Sequence, residues 1–379
     1  MRGATKTGLV SLAETLPFLI FGLVAGAFVD RSRRIRLMIG ADLGRALALL
    51  MVPVLFLAGT LNWVGLAGIA FFMGTMSALF NPARDSIIPD IGEGVDLIRV
   101  NSIFQTSVTA ALVVGTGLAA AFLQLANGGN SIPRLVLLLG IDGVTFLVSA
   151  IFLGFLKLPL SIRAPQQIKY GSTLDDTKEG LVYALKNPLL LGLLFITAVD
   201  NLFIMGPATV GAALFIRSTL KMGPQALALY ECAFSAAYLL VALALYKWGS
   251  SIPKGKMVIF GIILDGLTYI PFFWVRTYPM LLLAIFIHAI SVPLIVVGRT
   301  AIIQQEIPKS RLGKVFSLMN LTVFGFWALS GVLTGWGGDQ LADLLGSHMA
   351  PPVLFLISGI GGTLCGLLAL NFRKLRLVQ

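Results

Sequence analysis

Eleven runs of about twenty mostly apolar residues recur along this chain of 379 residues. A helix of that length crosses the hydrocarbon layer of a bilayer, and a chain that repeats it must satisfy its backbone hydrogen bonds inside each span. The runs fall near 8–29, 36–59, 62–83, 101–126, 134–156, 189–213, 224–246, 255–275, 279–298, 314–336 and 351–371. Turn and breaker residues separate them: Gly59-Thr60, Gly128-Gly129-Asn130, Met222-Gly223-Pro224 and Pro351-Pro352. Only 12% of the residues are charged, about half the share of a soluble domain. The 41 glycines suit helices that pack closely in lipid. The expected fold is an all-α integral membrane protein with about eleven transmembrane helices.

The polar stretch 157–188 is the longest between spans. It divides the chain into an N-terminal bundle of five spans (1–156), a central loop (157–188) and a C-terminal bundle of six (189–379). Within the loop, 174–186 reads as a short surface helix. The net charge of +11 is spread between the apolar runs rather than gathered on one module, which argues against a nucleic-acid partner. Alternate loops carry 21 and 6 Lys and Arg residues, and the richer side is cytoplasmic by the positive-inside rule. The 29–36 loop, the central loop and the C-terminus then lie in the cytoplasm, and the membrane is expected to be a bacterial-type inner membrane. A signal peptide ending near Ala25-Gly26-Ala27 is the alternative for the first run, but Glu14 interrupts a run longer than an ordinary h-region.

Several chemistries lack their residues. Cys232 and Cys365 sit inside apolar runs, and His288 and His348 are isolated, so no disulfide framework, metal site or cofactor is expected. No phosphate-binding glycine loop ending in Lys-Ser or Lys-Thr occurs, and no nucleophile–base pair suggests an enzyme.

A shift of 215 residues places Arg84 on Arg299, Ile87-Ile88 on Ile302-Ile303, Arg99 on Lys314 and Ser102 on Ser317. A shift of 217 places Glu14 on Glu231. These parallel offsets suggest two halves built on one plan, with Arg84 and Arg299 at related cytoplasmic positions. Chance similarity among Ile- and Leu-rich runs is the plainer alternative. On this plan the run 189–213 has no counterpart in the first half, so one helix is expected to be missing ahead of Met1.

Residues 26–34 read Gly-Ala-Phe-Val-Asp-Arg-Ser-Arg-Arg. They resemble the signature loop of the major facilitator superfamily, G-x-L-A-D-R-x-G-R-R, with Phe28 and Arg33 as departures. Gly26 would admit a neighbouring helix, and Asp30 with Arg31 and Arg34 would latch onto a helix end or a charged group in one conformation only. Asp42 and Arg45, three apart on the next helix, can pair and complete this gating group. Residues 80–91 (FNPARDSIIPDI), Arg99–Ser102, 141–146, 179–184 and 311–317 resemble the drug-efflux branch, which includes macrolide-efflux and siderophore-exporter proteins. The resemblance begins at that family's second helix. It implies a two-bundle secondary transporter that exports a small amphipathic molecule by alternating access, as a monomer, with proton coupling. The fifth-helix stretch Gly115-Thr116-Gly117-Leu118-Ala119-Ala120 lacks the Pro of the family's antiporter motif, which keeps a facilitator or uptake carrier in play. A truncated, non-transporting membrane protein is a further alternative.

Ionisable groups inside spans are costly and so mark candidate pathways. Glu14, Asp200 with its neighbour Asn201, and Glu231 are assigned to a substrate or proton pathway. Asp142, Asp265 and His288 read as packing residues. The topology has a direct check: reporter fusions within 157–187 and at Arg31 should report the same face of the membrane, and opposite faces would overturn the arrangement.

Overall fold

The computed structural model describes residues 3–91, 96–124, 132–156, 173–223 and 225–378. Among them, ten helical segments are long and apolar enough to cross a membrane. The first expected span is also helical, as α1 (Gly3–Arg31). Then follow α2 (Arg34–Leu57), α3 (Trp63–Ile91), α4 (Leu97–Gln124) and α5 (Ile132–Phe155). The short helix α6 (Thr173–Lys186) precedes α7 (Pro188–Gly206), α8 (Gln225–Trp248) and α9 (Lys254–Tyr269). The last are α10 (Tyr278–His288), α11 (Ser291–Glu306), α12 (Leu312–Leu345) and α13 (Ala350–Ala369). Among the described residues every expected run is therefore helical, one of them with a break, and the chain is an all-α, multi-pass membrane protein. The breaker at Gly128-Gly129-Asn130, residues 157–172 of the central loop and Arg2 lie outside the described residues.

Outward faces confirm the solvent these helices expect. Phe152 and Val332 are each 69% exposed, and Leu43, Leu47, Met51 and Val54 form an exposed apolar stripe along α2. Such surfaces suit hydrocarbon and would be a liability in water.

Backbone contacts group the chain into two compact units. The first holds 1–93, 114–183 and 307–324; the second holds 94–113, 184–306 and 325–379. In the first, α1 packs on α3, and α2 lies against both α3 and α5. Val29, Met38, Ala83 and Ile87 form a buried cluster there. In the second, α9 packs on α13 and α11, and α7 packs on α13. Its core is aromatic, with Phe272 and Phe355 stacked at 4.6 Å and Tyr269 edge-on to both.

Two interruptions depart from the straight spans read from sequence. The run expected over 279–298 is divided: α10 stops at His288, Ala289-Ile290 form a turn, and α11 restarts at Ser291 and reaches Glu306. Pro293 lacks the N–H that would bond back to Ala289. The second interruption follows α7, where Pro207 opens a wider helical turn over Pro207–Gly211. There the Ser330 hydroxyl donates to the Leu202 carbonyl at 2.6 Å and accepts the Gly206 N–H at 2.7 Å. A side chain thus occupies the two groups that an unbroken helix would pair with each other.

The α9–α13 seam depends on glycine. A methyl on Gly266 would collide with the Thr363 backbone nitrogen. Gly266→Ala should destabilise the protein by about 1–3 kcal/mol, seen as a lower Tm in detergent; an unchanged Tm would contradict this close approach.

Candidate functional site

Within the first unit, α1 ends in the signature loop and α2 begins from it. Asp30, one residue beyond the first expected span, caps the start of α12: Oδ1 accepts from Gly313 N at 2.8 Å and Oδ2 from Lys314 N at 3.0 Å. A carboxylate suits this place, because the first turn of a helix presents unpaired N–H groups and a partial positive charge. Arg34 takes the complementary role. Its guanidinium donates to the Ser86 carbonyl at 3.0 Å and the Lys309 carbonyl at 2.7 Å, and lies 3.9 Å from Asp30. Gly26 permits the approach: a Cβ there would lie 2.7 Å from Gly313 O and from Lys314 Cα. Arg31 is the half-buried last residue of α1.

The same helix start is held from α6. Arg311 donates to Glu179 at 2.9 Å, Lys314 Nζ lies 3.6 Å from the other Glu179 oxygen, and the Arg311 guanidinium sits 4.4 Å from the Tyr183 ring centroid. In the sequence Glu179 and Arg311 stand out only within the stretches that resemble the drug-efflux branch. They are 132 residues apart, so no local spacing links them.

Asp42 and Arg45 pair at 3.1 Å in the interior of the first unit. The second Asp42 oxygen accepts from Ser149 at 2.7 Å, and Arg45 lies over the Phe80 ring at 4.5 Å. Arg84 bonds its neighbours Asp85 and Asn81. Asp142 is exposed, and its carboxyl and carbonyl both receive the Thr145 hydroxyl. Glu14 belongs to α1, with its side chain outside the described ones.

In the second unit the polar residues converge. Asp200 on α7 is 4% exposed, and its Oδ1 has no hydrogen-bond partner among the described residues. It lies in electrostatic reach of Asp265 on α9 and Arg299 on α11. Arg299 bonds Thr197, one turn before Asp200, at 3.3 Å. Asn201 spends an amide hydrogen on the Thr197 carbonyl. Glu231 is exposed, beside the buried Tyr230, whose hydroxyl has no hydrogen-bond partner among the described residues. Asp265, His288 and Ser291 gather at the α10–α11 break, a meeting that sequence spacing could not announce. A buried carboxyl with an open oxygen beside an arginine can take up or release a proton, or receive a cation.

Burial pushes the Asp30 carboxyl up to about 6, against the lowering effect of the two N–H groups and Arg34. A raised value means that the buried contact binds a proton more readily than an exposed Asp30 would. The closed contact therefore gains stability as pH falls through about 6 toward the ordinary value of 3.8, and loses that gain on return. Asp30→Asn, neutral throughout, should flatten the dependence of Tm on pH across this window. An equal slope in both proteins would refute it.

Comparison with known proteins agrees with this architecture. The family model of the Major Facilitator Superfamily matches residues 3–211. The multidrug efflux pump Tap of Mycolicibacterium fortuitum is 24% identical over 379 residues, covering 98% of this chain and 88% of Tap. Macrolide efflux protein A of Streptococcus pyogenes is 23% identical over 318 residues, covering 83% of this chain and 76% of that protein. Among solved structures, a bacterial homologue of the iron transporter ferroportin in its outward-facing state superposes with a TM-score of 0.73 at 14% identity, covering 98% of this chain and 91% of that one. The E. coli fucose:proton symporter gives 0.72 at 13% identity, with 95% and 91% covered. With eleven apolar helical runs among the described residues, the Gly26–Arg34 loop seated on a helix start, and a family model matching over more than half of its length, the chain belongs to the Major Facilitator Superfamily.

Proposed function

We propose that this protein exports a small amphipathic molecule across a bacterial-type inner membrane by alternating access, with protons entering the cycle at Asp200 and Glu231. The observation that carries the reading is Asp200, a buried carboxyl in the middle of a span with one oxygen open and Arg299 close by. A group of this kind binds a proton in one state and releases it in another, so proton occupancy biases the conformational equilibrium. The direction of transport is supported by the relatives, which are named as efflux proteins. The Asp30 cap on α12 supports a gate, since a carboxylate that satisfies two N–H groups holds its loop in one arrangement. The excess of Lys and Arg in alternate loops supports a cytoplasmic C-terminus. We take the working form to be a monomer, with the two bundles 1–156 and 189–379 joined by the cytoplasmic loop 157–188.

One observation favours a second reading. The fifth-helix motif of family antiporters carries a Pro, whereas α4 runs unbroken from Leu97 to Gln124 without one. A facilitator or uptake carrier on the same fold would move solute without a proton gradient. In proteoliposomes with an imposed pH gradient, Asp200→Asn and Glu231→Gln should each abolish the response of transport to the gradient, while gradient-free counterflow persists. Full coupling in both variants would remove these assignments, and a wild-type protein indifferent to the gradient would favour the facilitator.

A further inference from the structure

The α10–α11 break carries more polar chemistry than a packing role requires. Asp265 is 1% exposed. Its Oδ1 lies within hydrogen-bond distance of Ser291 Oγ, and Ser291 Oγ lies 2.5 Å from the His288 carbonyl oxygen. A serine hydroxyl has a single hydrogen. If Asp265 were a carboxylate, both neighbours of Ser291 would be acceptors and one would go without a donor in a buried site. A protonated Asp265 resolves this: its O–H donates to Ser291, and Ser291 donates to the His288 carbonyl at the end of α10.

The imidazole fixes its own tautomer. Thr268 commits its hydrogen to the Leu264 carbonyl at 2.7 Å or the Asp265 carbonyl at 3.1 Å. Its oxygen is then an acceptor for His288 Nδ1 at 3.0 Å, so Nδ1 carries the hydrogen. Nε2 is left with its lone pair, facing Asp265 Oδ1 at 3.7 Å. Tyr269 stacks on the ring at 4.0 Å and holds its plane. A carboxyl O–H that turns from Ser291 meets a basic nitrogen.

We propose that Asp265 and His288 form a proton-holding pair at the α10–α11 break, and that the proton's presence on Asp265 closes the break through Ser291. Transfer breaks the Asp265 O–H bond and forms an Nε2–H bond, leaving an aspartate and an imidazolium with no change in total charge. Loss of the proton from the imidazolium to water then leaves Asp265 negative. The carboxylate now competes for the Ser291 hydrogen, and the His288 carbonyl loses its donor. Arg299 lies two turns further along α11, so a change at the break moves the cation that faces Asp200.

The other ionisable groups around the pair belong to its neighbours in the same unit. Asp200 on α7 and Arg299 on α11 interact with each other, and Asp200 with Asp265. Tyr230 and Glu231 on α8 act on Tyr269, and Cys365 on α13 faces Asp200. Among these, Asp200 opposes a negative Asp265, and while the proton rests on His288 its imidazolium, 3.7 Å from Oδ1, supplies the counter-charge.

The place of this pair in a transport cycle rests on the proton-coupled reading above, whereas the proton on Asp265 does not, and the test separates the two. Infrared spectra of the purified full chain near neutral pH should show the carbonyl stretch of a protonated carboxyl. Asp265→Asn should remove that band, and Ser291→Ala should shift it by deleting its hydrogen-bond acceptor. In proteoliposomes carrying ethidium as the probe, Asp265→Asn and His288→Gln should abolish pH-gradient-driven movement and leave counterflow in place. A band that survives Asp265→Asn and ignores Ser291→Ala overturns the proposal. A band that is lost while gradient-driven movement continues at wild-type rate overturns the pair's part in the cycle. If wild type ignores the gradient but the band behaves as expected, the coupled reading fails and the proton on Asp265 stands.

Discussion

Hydrocarbon offers no hydrogen bonds, and that constraint explains both the regularity of this protein and its exceptions. Each span is helical because a helix pairs its own backbone groups. Close to each proline break a serine hydroxyl bonds backbone groups at the helix end: Ser330 takes the Leu202 carbonyl and the Gly206 N–H at the end of α7, and Ser291 at the start of α11 takes the His288 carbonyl. Neither break is random. Pro207 and Pro293 mark them in the chain, and the hydroxyls make them tolerable.

The same need for partners organises the start of α12. Its first N–H groups receive the Asp30 carboxylate, and its basic residues Arg311 and Lys314 receive Glu179. The acid meets the partially positive N-terminal end of α12, while Arg34 bonds carbonyl oxygens. Gly26 and Gly313 matter because side chains at either place would hold the carboxylate away from the backbone it caps.

The spans were legible because length and apolarity are local properties, and all eleven runs are helical, as is α6. The loop Gly26–Arg34 was also legible, as was the Asp42–Arg45 pair three residues apart. What sequence could not supply is contact at a distance. Asp30 and Gly313 are separated by 283 residues, Ser330 and Gly206 by 124. In the sequence Asp265 and His288 look like separate packing residues, because nothing in their spacing announces that Ser291, Thr268 and Tyr269 surround them. The division of 279–298 at Ala289-Ile290 had a visible cause in Pro293, yet a uniformly apolar run conceals where a helix stops.

A hydroxyl that fills a gap in a helix has a mechanical effect. It can release one oxygen and take another without stranding a donor in oil, so the rod flexes there by exchange of partners rather than by rupture. The serine beside Gly206 gives α7 an elbow of this kind, six residues past the buried carboxyl of Asp200.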